Sequence, residues 1–224
     1  MQENTKSMTS YCVAIALPIF IGATYWLTRP FADVVSQQSV FMGNLSNAQK
    51  ANIELAAQRL NGVIIKPGKN FSFNAVIGPR TDGRGYRPAP SYVRAKALDT
   101  MGGGICLLSS SIYKVALESG MKIVSRSPHM RTIKTVKPGL DATVWYGEKD
   151  LVFENTCESP IQFHTTCDGQ VVSVQLLGTN NDIWHCTLTT VEKNDSPQSL
   201  HVQVVRHWGD RDELISDDSY GRSK

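Results

Sequence analysis

The chain has 224 residues, 41% of them hydrophobic and 19% charged, a balance that suits a foldable globular protein and excludes an intrinsically disordered one. Its formal charge of +3, with no block of Lys or Arg, excludes the basic footprint of a nucleic-acid binder. Length alone does not separate one domain from two.

Residues 1–10 read as a short leader. Residues 11–28 carry an uncharged apolar run, YCVAIALPIFIGATYWL, between Lys6 and Arg29. At about 1.5 Å per residue this run spans most of a hydrocarbon core about 30 Å thick. Tyr25 and Trp26 stand at its end, where an interfacial aromatic belt sits. No polar face is left for a core helix to turn to solvent, and Ile21, two residues before Ala23, fits a leader-cleavage site poorly. The run is therefore read as an uncleaved signal-anchor, a transmembrane helix that places the protein at the cell membrane in a single pass with its C-terminal part extracytoplasmic.

Residues 29–45 form a linker. Ser46 and Asn47 open a helix over NAQKANIELAAQRL, whose apolar residues favour one side, and Asn61-Gly62 stops it. VIIKPGKNFSFNAVIG reads as two short strands about the Pro67-Gly68 turn. The loop PRTDGRGYRPAP and an irregular segment lead to GGG. CLLSSSIYKVALE has helical spacing at Leu108, Ile112, Val115 and Ala116, with Gly120 as its stop. KIVSRS, MRTIKTV, DATVWYG, DLVFENTC, IQFHTTC and VVSVQLLG follow as strand candidates, with Asp168-Gly169 a hairpin turn. Residues 179–209 extend this with two weaker strands, and residues 210–224 form a polar tail expected to be disordered. The order predicts an α+β fold with a largely antiparallel β-sheet and a few helices, preceded by the N-terminal transmembrane helix.

Of the five cysteines, Cys12 lies in the apolar run, Cys157, Cys167 and Cys186 offer one disulfide or plain buried thiols, and Cys106 is left over. No zinc-type spacing joins them to His164 or His185, and no nucleotide loop is present, so neither metal nor cofactor is expected. Cys106 is the chemical landmark. It stands on the first turn of a helix, where the positive end of the helix dipole favours the thiolate. Gly102, Gly103 and Gly104 before it let a substrate backbone approach, and their N–H groups, with that of Cys106, are candidate oxyanion donors. Ser109 to Ser111 are read as back-bonding to helix carbonyls. On residues alone, His129 is either the base for this thiol or a loop histidine packed between Pro128 and Met130. Cys106 is likewise either a nucleophile or a small buried hydrophobe.

The stretches NIELAAQRLNGVIIKPGKNFSFNAVIGPRT, MGGGICLLSSSIYKVALESGMKIVSR, Pro128-His129, PGLDATVWYG and KDLVFENTCESPI stand in the order and spacing of a known family. Over residues 46–178 the chain resembles the VanW-domain family of bacterial cell-envelope proteins, named after a member of a vancomycin-resistance cluster. Family members usually read GGGICQ, and this chain has Leu107 in place of the glutamine. Some VanW domains look to act as L,D-transpeptidases, and the resemblance implies the same here: a cysteine-dependent acyl transferase acting on peptidoglycan stem peptides. Cys106 then forms a thioester, His129 is base and later acid, and Asp141, which the family motif carries, orients the imidazole. Arg126 and Arg80 are candidate partners of a substrate carboxylate, with Arg80 read more readily as an ordinary surface charge. Two other outcomes share these residues. One is a cell-wall cysteine peptidase or amidase, with water as acceptor; the other is a non-catalytic envelope module that binds peptidoglycan.

Overall fold

The computed structural model describes residues 31–93, 96–179 and 185–222. Twelve strands and three α-helices are seen among these residues. The strands are β1 (Asp33–Phe41), β2 (Ile64–Ile65), β3 (Asn70–Ser72), β4 (Pro88–Val93), β5 (Lys96–Met101), β6 (Lys122–Ser125) and β7 (Val152–Glu154), followed by β8 (Ile161–Cys167), β9 (Val171–Gly178), β10 (Thr187–Ser196), β11 (Ser199–Trp208) and β12 (Arg211–Gly221). The helices are α1 (Asn47–Leu60), α2 (Phe73–Ile77) and α3 (Cys106–Glu118).

This corrects the expected α+β fold preceded by a transmembrane helix. The molecule is mostly β-strand with few helices, arranged in four small antiparallel sheets ordered β1-β9-β8-β2, β3-β7-β6, β4-β5 and β10-β11-β12. Among the described residues no helix is long and apolar enough to cross a membrane. Residues 11–28 lie outside the described part.

The larger core forms where α1 and α3 lie against the four-stranded sheet. Helix α1 begins with a capping box, the Ser46 hydroxyl accepting from the Gln49 N–H at 3.2 Å while the Gln49 side chain accepts from the Ser46 N–H at 3.0 Å. These bonds satisfy two donors that a helix start otherwise leaves open. Its buried face, Ile53, Ala56, Ala57 and Leu60, meets Ile161 and Phe163 of β8 within one hydrophobic cluster. Phe71, Phe153 and Phe163 interlock with ring centroids 5.0 to 6.3 Å apart, joining this sheet to β3-β7-β6.

Several local expectations change. The assumed linker supplies β1, which pairs along β9 and closes the edge of the main sheet. NAVIG belongs to helix α2 rather than a strand, with Ser72 capping the Ala75 N–H at 3.0 Å. The irregular segment before the glycines is the β4–β5 hairpin. Neither MRTIKTV nor DATVWYG forms a strand; each contributes one isolated bridge. Residues 210–224, expected as a disordered tail, supply β12, paired along β11 from Trp208↔Arg211 to Ser199↔Gly221. None of the four described cysteines is in a disulfide.

Candidate functional site

The glycine run is a tight turn wedged between α1 and the β4–β5 hairpin. Gly102 and Gly104 have φ of 77° and 98°, a region that L side chains rarely adopt. At Gly103 the constraint is contact: a Cβ would lie 2.1 Å from the Ala89 carbonyl oxygen. Asn52, fully buried on α1, pins the turn by donating to the carbonyls of Arg87 and Gly103, both at 3.0 Å, and accepting from the Arg87 N–H at 2.9 Å. Sequence reasoning missed this residue, whose only signal is an amide on the apolar face of a helix.

The turn narrows the expected set of oxyanion donors. The N–H groups of Gly102 and Gly103 already donate to Arg87 O at 3.1 Å and Thr100 O at 3.0 Å. Those of Gly104 and Cys106 have no backbone acceptor among the described residues, and Ile105 caps α3 with no side-chain bond. Leu107 is 5% exposed and packs in the main core.

Cys106 is half-buried, its Sγ–H pointing at the Val144 carbonyl 3.8 Å away. The Ser109 to Ser111 run explains why residues 141–144 lie here. The Ser110 hydroxyl donates to Cys106 O at 2.6 Å and accepts from the Ala142 N–H at 3.0 Å, while Ser109 donates to Ala142 O at 2.6 Å. The serines back-bond as expected and also latch the Asp141 segment onto the helix.

The structure brings Cys106, His129 and Asp141 together. One Asp141 oxygen, Oδ2, takes both the His129 backbone N–H and ring Nδ1 at 2.6 Å, and Cys106 lies near enough to the imidazole to act on its titration. Burial by itself would lower the His129 pKa. The bonds to Asp141 and Cys106, with their charges, outweigh it and push the value up to about 9. Burial would raise Asp141, yet the His129 bond, the Arg126 charge and the Tyr220 hydroxyl bring it below the usual carboxylate value. The group is a thiol, an imidazole and a carboxylate in series, the carboxylate 1% exposed.

The two arginines named as possible carboxylate partners have different surroundings. Arg126 has a side chain only 5% exposed and lies behind the carboxylate, donating to Asp141 Oδ1 at 2.9 Å and to Asp218, with its guanidinium 5.1 Å over the Tyr113 ring. Its guanidinium is thereby engaged by protein groups. Arg80 packs against Gly102 in the turn before Cys106, and burial draws its pKa down. It donates to Gly78 O at 3.0 Å and lies against the rings of Phe73 and Tyr146, while its Nη2 has no hydrogen-bond partner among the described residues. Asp150 caps α2, accepting from Ser72 and the Asn74 N–H at 2.6 and 2.9 Å. Tyr86 is buried with its hydroxyl under Arg59. Beside this wall an open cleft of about 490 Å³ is lined by Asn74, Ser125, Tyr146, Lys149 and Asp150. Among the described residues no His, Cys, Asp or Glu cluster suits a metal ion.

The model of the family described as VanW like protein matches residues 48–177. The chain is 32% identical over 171 residues to the uncharacterized protein YoaR of Bacillus subtilis, covering 75% of this chain and 56% of that one. It is 30% identical over 131 residues to the vancomycin B-type resistance protein VanW of Enterococcus faecalis, covering 56% of this chain and 47% of that one. The chain thus spans about half the length of the curated relatives it matches. No solved structure matches it.

Proposed function

This chain belongs to the VanW-like protein family, and we propose that it is a cysteine-dependent acyl transferase of the cell envelope, acting outside the cytoplasm on peptidoglycan stem peptides in the manner of an L,D-transpeptidase. The observation that carries this reading is the gathering of Cys106, His129 and Asp141, with the imidazole bonded to the carboxylate and close enough to the thiol to be influenced by it. The name of the Enterococcus faecalis relative, a vancomycin resistance protein, supports an envelope substrate, because vancomycin acts on peptidoglycan precursors.

In this mechanism His129 takes the Cys106 proton and the thiolate attacks the carbonyl of a stem-peptide bond. The N–H groups of Gly104 and Cys106 face the oxyanion that develops. The C–N bond breaks, His129 returns the proton to the leaving amine, and a thioester remains on Cys106. The amine of a second stem then attacks, gives its proton to His129, and releases the thiol as the new amide forms. Arg80 supplies the cation for the donor's terminal carboxylate, its Nη2 being without a partner among the described residues.

The test is incubation with tetrapeptide-stem muropeptides and mass analysis of the products. Cross-linked dimer made by wild type and lost in Cys106→Ala supports the transferase. A shortened stem without dimer makes water the acceptor, and no change in the stem refutes acyl chemistry on this substrate.

A further inference from the structure

The family-matched segment ends at residue 177, yet the groups that hold the acid of the site lie beyond it. The β10-β11-β12 sheet packs against the loop that carries Asp141. Gly139 approaches it so closely that a Cβ there would lie 2.6 Å from Val204 Cγ2. Tyr220, 1% exposed on β12, donates its hydroxyl hydrogen to Asp141 Oδ1 at 2.6 Å and accepts from the Gly139 N–H at 2.9 Å. Asp218, two residues earlier on the same face of the strand, takes the Arg126 guanidinium, which also bonds Asp141. One residue on, the Gly221 N–H donates to Met130 O at 2.9 Å and the Thr132 N–H to Gly221 O at 3.0 Å. Strand β12 therefore grips the carboxylate by a side chain and the histidine's loop by its backbone.

We infer that β12 is an intrinsic part of the site, with Tyr220 and Asp218 acting as positioning residues that fix Asp141, and through it His129, toward the Cys106 thiol. The inference rests on Cys106 being the nucleophile. The argument is one of orientation. A carboxylate with two free oxygens rotates, and its hold on an imidazole rotates with it. Here Oδ2 serves the imidazole while Oδ1 is held by Tyr220 and Arg126, so the direction of the Asp141–His129 bond is set from behind. The charged and titratable groups around the pair are Cys106 and Tyr113 from α3, Arg126 after β6, and Asp218 and Tyr220 from β12.

The experiment is the rate of Cys106 alkylation by iodoacetamide on the full chain, read by mass, for wild type, Tyr220→Phe and Asp218→Asn. At about pH 6.5 the rate reports thiolate formed through His129; at about pH 10 a thiol ionises without help. Wild type is expected to react rapidly at the lower pH. Both variants are expected to be slower there by about fivefold or more, with rates at the higher pH equal to wild type. Equal rates at the lower pH, or an equal fall at both pH values, would overturn the positioning role and leave the nucleophile intact. A wild type that reacts only above about pH 8.5 would remove the nucleophile, and this inference with it. Since Asp218→Asn keeps the side chain's shape and removes only the charge that pairs with Arg126, it decides the matter should Tyr220→Phe fold poorly.

Discussion

The site depends on single atoms at two positions that composition does not mark. At Gly103 the Ala89 carbonyl would stand 2.1 Å from an added Cβ, and backbone cannot retreat as a side-chain tip can. Gly103→Ala is expected to destabilise the protein by about 2 kcal/mol or more, as overpacking of a close backbone contact does, measured by denaturant unfolding. Arg80 is the converse case, a half-buried cation whose buried Nη2 has no partner among the described residues. Buried polar groups are almost always paired, so the unpaired one is the place to look for substrate. Arg80→Gln is expected to raise KM for a stem with a free terminal carboxylate by about tenfold or more with a smaller change in kcat. The effect should vanish for the same stem with an amidated terminus; an equal effect on both stems would remove Arg80 from recognition.

Among the elements, α3 organises the rest. Its first residue is the thiol, and its serines hold the segment that carries the acid. Ser110→Ala leaves the buried Ala142 N–H without its 3.0 Å acceptor, a loss worth about 1–3 kcal/mol. It should also slow neutral-pH alkylation of Cys106, because Asp141 is the next residue; a stability loss with unchanged alkylation would confine the serine to packing. Legibility in the sequence varied by element for physical reasons. Helices α1 and α3 were plain because each has one apolar face and a capping or stop signal. Strand β12 was not, because ELISDDSY shows no hydrophobic alternation: of its inward residues, Asp218 meets Arg126, and Tyr220 packs with Leu200 and Val202 while its hydroxyl bonds Asp141. Strand β1 was missed for a related reason, since SQQS alternates polar with polar along an exposed ladder of Gln37, Ser39 and Ser173. The nearness of Cys106, His129 and Asp141 was legible from the glycine run, the Pro-His pair and the family motif. The pairing of Arg126 with Asp141 was not, since it depends on which guanidinium the fold buries behind the carboxylate.

For the molecule as a whole, the buried His129–Asp141 pair sets a pH window of stability. The folded His129 pKa, raised from 6.5 to about 9, means that its contribution is fully present below about pH 6.5 and is lost as pH rises through about 9. Asp141, lowered from 3.8, contributes above that value and loses its contribution as pH falls through the lower folded value. Thermal unfolding should therefore show greatest stability between about pH 4 and pH 6.5, and His129→Gln should flatten the alkaline limb. An alkaline limb unchanged in that variant would mean the pair is not held as described. Asp141, inside the family-matched region, is held by Tyr220 of a C-terminal sheet outside it, so on the proposed mechanism a chain cut after residue 178 should lose the neutral-pH reactivity of its thiol. The central claim is the thioester. Full-length wild type mixed with a peptidoglycan tetrapeptide-stem fragment and quenched in acid should show, by intact mass, an acyl adduct that maps to Cys106 and is absent from Cys106→Ala. A wild-type chain that carries no adduct at any time point, while the stem fragment is unchanged, would contradict it.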